Sequence, residues 1–117
     1  MKRLYTATIN SLRGLRYGLR HEAALREELI VLAAAVPLGV PIAPTWVWYV
    51  AMIGALLAVL SVELLNTAIE KLADHTTQGR HPQIGMIKDY GSAAVLCMLC
   101  VAALIWIAAA GLRLGLF

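Results

Sequence analysis

The sequence predicts an all-α integral membrane protein, in which an amphipathic surface helix is followed by three transmembrane helices. Three observations carry this expectation. Of the 117 residues, 61% are hydrophobic and only 15% charged, with a mean hydropathy of +0.75, far from the usual soluble mixture. Two apolar runs, residues 46–65 and 91–112, have the length of about twenty residues that crosses a hydrocarbon core of about 30 Å. The Lys and Arg residues gather at the N-terminal arm and in the connection after residue 70, where they read as cytoplasmic flanks.

Residues 2–20 hold Lys2, Arg3, Arg13, Arg16 and Arg20, while Tyr5, Leu12, Leu15 and Leu19 fall on a different side at about 100° per residue. This is the pattern of a helix lying on a membrane surface. Arg13, Arg16 and Arg20 share a face suited to anionic headgroups or a phosphate-bearing ligand, and equally to a simple positive-inside anchor. The stretch is too polar for the core of a cleavable signal, so the chain is expected to be retained whole.

The first apolar segment, residues 29–43, contains Pro37 and Pro41 and closes at Pro44. It spans about 22 Å, so a crossing must recruit Ala23 to Leu25 and carry Arg26, Glu27 and Glu28 near the interface. In the second segment Trp46, Trp48 and Tyr49 supply an interfacial aromatic belt. The third opens with Gly91, Ser92, Ala93 and Ala94, small residues that permit close helix packing. The expected organisation is one membrane-embedded domain over residues 1–117, with a surface helix at 1–21 and transmembrane helices with cytoplasmic extensions at 23–43, 46–75 and 86–112.

Composition also excludes. A net charge of +3 and a single Phe give no stacking platform, so nucleic acid is not an expected partner. Cys97 and Cys100 form C-x-x-C inside a wholly apolar run, where they act as small hydrophobes rather than as a redox or zinc pair. There is no G-x-x-x-x-G-K-[ST] loop and no kinase catalytic-loop signature.

The end of the second span carries the chemistry. With Glu63 at zero on a helical wheel, Asn66 falls at about −60°, Thr67 at about +40°, Glu70 at about −20° and Asp74 at about +20°. One stripe therefore runs from the inner edge of the hydrocarbon into water, with Glu70 about 10 Å beyond Glu63. Taken singly, Glu63 also fits an interhelical hydrogen bond, and Glu70 and Asp74 a solvated helix end. Taken with Lys88 and Asp89 before the third span, the set suits phosphoryl transfer: hard oxygens for Mg²⁺, a cation for phosphate charge and a carboxylate for the attacking hydroxyl. Glu70 offers one metal carboxylate and Glu22 a second, although an i,i+4 pair with Arg26 also explains Glu22. A small ion channel and a passive membrane scaffold are the competing classes.

The segments "HEAALREE" at 21–28, "ELLNTAIE" at 63–70 and "KDYGSAAV" at 88–95 closely resemble the signatures of the small bacterial integral-membrane diacylglycerol kinase family, which also contains the undecaprenol kinases. The likeness runs from about Arg3 to the end of the third span. The resemblance implies a homotrimer in the bacterial inner membrane, N-terminus cytoplasmic, that uses ATP and Mg²⁺ to phosphorylate a lipid hydroxyl at the cytoplasmic interface. By motif position, Glu63 is implied as the catalytic base, and Glu22 and Glu70 as the metal carboxylates. Asn66, Lys88 and Asp89 are implied as phosphate-side nucleotide contacts, joined by Arg3, Asn10, Gly79, Arg80 and His81. Arg26, Glu28, Glu63 and Ser92 are implied on the lipid-substrate side. "GSAAV" and "EAALREE" lean to diacylglycerol as acceptor, whereas His81-Pro82 is also seen in members acting on polyprenols.

Overall fold

The computed structural model describes residues 1–76, Gly79 and 81–117. Four helices follow in order: α1 (Lys2–His21), α2 (Ala23–Ile42), α3 (Trp46–Thr76) and α4 (Pro82–Arg113), with no strand among the described residues. The all-α expectation is met. The helix boundaries have local causes. Glu22 alone separates α1 from α2, adopting extended backbone at φ −120° and ψ 116°. Pro44 drives Ala43 out of the helical region and ends α2. Pro82 sits at the first turn of α4, where no backbone donor is missed, and His81 caps that end by accepting from the Gln83 amide at 3.2 Å.

α2 continues as helix through Pro37 and Pro41. A proline inside a helix costs about 3 kcal/mol in isolation, so neighbouring elements must hold this segment. Tyr49 donates from its hydroxyl to the Val36 carbonyl at 2.7 Å, and Arg113 Nε donates to the Pro41 carbonyl at 3.2 Å. Gly39 makes room for the Tyr49 ring and for Trp106; a Cβ there would lie 3.3 Å from Tyr49.

The largest interface is α3 along α4. Met52, Ala55, Val59 and Ala102 are buried in it, with Leu56, Met98 and Ile105 packed alongside. Trp106 Nε1 donates to the Met52 carbonyl at 3.1 Å, tying the two backbones together. α2 lies against α3, and α1 touches α2 where Gly18 meets Leu25.

Two helices, α3 and α4, are long and apolar enough to cross a membrane. α2 is about 30 Å long by helical rise, but Arg26, Glu27 and Glu28 occupy its first two turns, which keeps it out of that class. Cys97 and Cys100 are free and exposed on α4.

Candidate functional site

The site forms along the charged end of α3, which faces the elbow at Glu22 through Lys71 and the start of α4 through Asp74. The Glu22 amide closes α1 by donating to the Gly18 carbonyl at 2.8 Å, and its own carbonyl accepts from the Arg26 amide at 3.2 Å to open α2. Both sides of the elbow are thus backbone-bonded, and the Glu22 side chain is aimed by the angle between two helices. Arg26 reinforces that angle: its Nη1 donates to the carbonyls of Leu19 and Arg20 at 3.1 and 3.2 Å, capping the end of α1. The sequence reading places Arg26 beside the lipid substrate; in the structure its guanidinium is engaged at the elbow.

On α3, Asn66 is 7% exposed and donates from Nδ2 to Glu70 Oε1 at 3.3 Å. Its Oδ1 is shut off from solvent without a hydrogen-bond partner and lies against Gly91 of α4, where any Cβ would overlap it. The small residue at 91 therefore admits a polar side chain into the helix seam. Glu63, one turn earlier, is half-buried and lies within electrostatic reach of Glu22, Glu28 and Glu70. Glu28 is half-buried too, with an Oε2 that is sealed and unpartnered. Four carboxylates from two helices and the elbow thus face one region.

Two ion pairs border that region. Lys71 Nζ lies 2.9 Å from Glu22 Oε1, and Lys88 Nζ pairs with Asp74 Oδ1 across α3 and α4. Lys71 stands six residues beyond the apolar run of α3. The hydrogen-bonding contact with Glu22 first, and the charge of that carboxylate second, hold its ammonium above the ordinary lysine range. Lys88 also lines a cleft of about 380 Å³ with Gly79, His81, Pro82, Ile84 and Gly85. Gly79 adopts φ 122°, a conformation L side chains rarely take. Arg80 lies outside the described residues.

Asp89 and Ser92 are exposed on α4. Arg3 and Asn10 are exposed on α1, about 28 and 18 Å along the helix from Glu22. They share the side of α1 that carries Gly14 and Tyr17, which line a cleft with Thr67 and Lys71 of α3. The structure therefore gathers Glu22, Glu28, Glu63, Asn66 and Glu70, sets Lys88 beside them through Asp74, and leaves Arg3 and Asn10 at a distance along one helix.

Among the described residues no group of three or more His, Cys, Asp or Glu side chains is drawn together as a metal cage. Mg²⁺ does not ask for one: it takes one or two carboxylates and fills its shell with water and phosphate oxygens. Hard oxygen donors, among them a Glu22 Oε1 that is sealed from solvent, fit that ion.

Comparison with known proteins bears on the class of the chain. The family described as prokaryotic diacylglycerol kinase matches residues 9–110. The diacylglycerol kinase of Haemophilus influenzae is 35% identical over 103 residues, covering 88% of this chain and 87% of that one. That of Escherichia coli strain K12 is 36% identical over 104 residues, 89% and 85% of the two chains. The Pseudomonas aeruginosa diacylglycerol kinase is 36% identical over 106 residues, 91% and 86%. Helices of membrane-spanning length, in a chain matched over most of its length by lipid kinases, put the protein in the class of membrane lipid kinases. Within that class, the chain belongs to the prokaryotic diacylglycerol kinase family. The channel and scaffold classes are thereby displaced.

Proposed function

We propose that this protein transfers the γ-phosphoryl group of ATP to the hydroxyl of diacylglycerol, forming phosphatidic acid and ADP at the cytoplasmic face of the bacterial inner membrane. The observation that carries the reading is the position of Glu63, at the boundary between the apolar length of α3 and its charged end, with Glu22, Glu28 and Glu70 around it. A lipid hydroxyl held at headgroup depth reaches Glu63 from one side, while a nucleotide reaches Glu70 and Lys88 from the other.

Glu63 accepts the hydroxyl proton as the lipid oxygen bonds to the γ-phosphorus, and the bond from that phosphorus to the β–γ bridging oxygen breaks to release ADP. Lys88, with Asn66 and Asp89, orients the phosphate chain. Glu22 and Glu70 are the residues that hold Mg²⁺, which when bound neutralises phosphate charge. Glu28 and Ser92 border the lipid, and Arg26 acts on that side through the elbow it caps. Arg3, Asn10, Gly79, Arg80 and His81 complete the nucleotide side.

The same reading makes residues 1–117 one membrane-embedded domain, with α1 on the cytoplasmic surface, α2 as a third crossing and three copies forming the working unit. The surface supports association. The chain exposes 8540 Å², whereas a compact monomer of this mass exposes about 6,200 Å². Large apolar side chains contribute to it: Leu57, Leu65, Leu96, Leu99, Leu104 and Ile107 are exposed. Lipid and neighbouring copies are what can cover it.

His81-Pro82, a pair also seen in family members acting on polyprenols, keeps undecaprenol as the alternative acceptor, with unchanged chemistry. The test is transfer from γ-labelled ATP by detergent-purified protein, with diacylglycerol and undecaprenol in parallel mixed micelles, with and without Mg²⁺. Mg²⁺-dependent label in phosphatidic acid is expected. Label only in the polyprenol keeps the mechanism and changes the acceptor, and label in neither, from folded protein, overturns the reading.

A further inference from the structure

Lys71 has no part in the phosphoryl transfer described above, yet it holds one of the carboxylates assigned there to the metal. Its Nζ lies 2.9 Å from Glu22 Oε1. That oxygen is sealed from solvent, and the Glu22 side chain as a whole is 23% exposed, against 63% for Lys71. Both residues line the cleft of about 220 Å³ between α1 and α3, together with Tyr17 and Thr67.

The two partners are held very differently. Glu22 is set by backbone bonds on both sides of the elbow, and its Oε1 is sealed from solvent. Lys71 reaches it from solvent at the end of a flexible four-carbon stem. A sealed carboxylate without a counter-charge is costly, and three further carboxylates lie nearby. A cation beside Glu22 offsets that cost while the site is empty. An ammonium on an exposed stem does this weakly, since exposed ion pairs add little and are screened by salt. It also leaves easily, because its hydration in water replaces the contact.

We propose that Lys71 is a resident counter-ion for Glu22, displaced into solvent when a divalent cation binds, so that Lys71 sets how tightly the site takes its metal. The proposal rests on Glu22 being a metal carboxylate. The competing role for the same contact is a staple that pins α1 to α3 and so keeps Glu22 in place.

The two roles predict opposite signs. Mn²⁺ is titrated by electron paramagnetic resonance into detergent-purified protein with a saturating non-hydrolysable ATP analogue, so no turnover occurs. Lys71→Met, and Lys71→Gln as a second neutral variant, are expected to bind Mn²⁺ about two- to fivefold tighter than wild type, the range that release from an exposed ion pair allows. The difference shrinks in about 1 M salt, where screening acts over about 3 Å. Lys71→Arg, which keeps the charge, binds no tighter than wild type. Unchanged or weaker Mn²⁺ binding by both neutral variants overturns the proposal and favours the staple. Glu22→Gln separates the two layers: it is expected to weaken Mn²⁺ binding. If it does while the Lys71 variants bind no tighter, only the Lys71 proposal falls. If Glu22→Gln binds as wild type does, or wild type binds no Mn²⁺, the assignment of Glu22 to the metal falls and takes the Lys71 proposal with it.

Discussion

The α3–α4 pair is held by shape at one end and by charge at the other. Around Met52, Ala55, Val59 and Ala102 the helices interlock apolar side chains, with one indole-to-backbone hydrogen bond from Trp106. Around Asn66, Asp74 and Lys88 they meet through an amide lodged against Gly91 and an exposed ion pair, and a second ion pair joins Lys71 to the elbow. Close packing has one solution, whereas a half-exposed ion pair exchanges with water or with an arriving ligand at little cost. The difference teaches how a chain this small can be both fixed and reactive. The apolar end anchors the helices, and the charged end keeps groups free to change partners.

That contrast can be broken most severely at Glu63. Glu63→Gln is expected to lower kcat by about 10² to 10⁴-fold, the usual worth of a general base, while the unfolding midpoint in a denaturing-detergent titration stays near that of wild type. Activity close to wild type would remove Glu63 from its assigned role. Next comes the apolar end. Met52→Ala is expected to cost about 2 kcal/mol, the low end for a buried truncation because lipid already solvates apolar groups, with turnover per folded molecule retained. A large loss of turnover without loss of stability would erase the division between the two ends.

Gly91→Ala tests the seam between them. The new Cβ displaces the Asn66 amide, so the variant is expected to lose about 1 kcal/mol through overpacking and to need more Mg²⁺ for half-maximal rate, because Asn66 no longer supports Glu70. Equal rates at every Mg²⁺ concentration would show that Asn66 and Glu70 are not linked in this way. The smallest effect is expected from Asp74→Asn: breaking its exposed pair with Lys88 should change stability by less than about 1 kcal/mol in the same titration. A larger loss would mean that the charged end is held as firmly as the apolar one.

Much of the site was legible because helical periodicity is local. The 100° spacing puts Glu63, Asn66, Glu70 and Asp74 on one stripe before any tertiary contact is known, and the Asn66–Glu70 hydrogen bond follows from an i,i+4 separation. Lys71 escaped notice as part of the site, since its partner lies 49 positions away across an elbow whose angle no local pattern encodes. The helix-capping contact of Arg26 is hidden in the sequence for a related reason. Its i,i+4 relation to Glu22 is visible, but its reach back over the end of α1 depends on the turn at residue 22.

Composition and periodicity were sufficient for an all-helical chain with two helices of membrane-spanning length and an acidic stripe at the end of one of them, because burial of apolar faces and the helical repeat act over a few neighbouring residues. Which faces meet was decided by the folded chain: Asn66 against Gly91, Lys88 against Asp74, and Glu22 against Lys71. These pairings depend on helix register and crossing angle, and those emerge only when distant segments pack side chain against side chain.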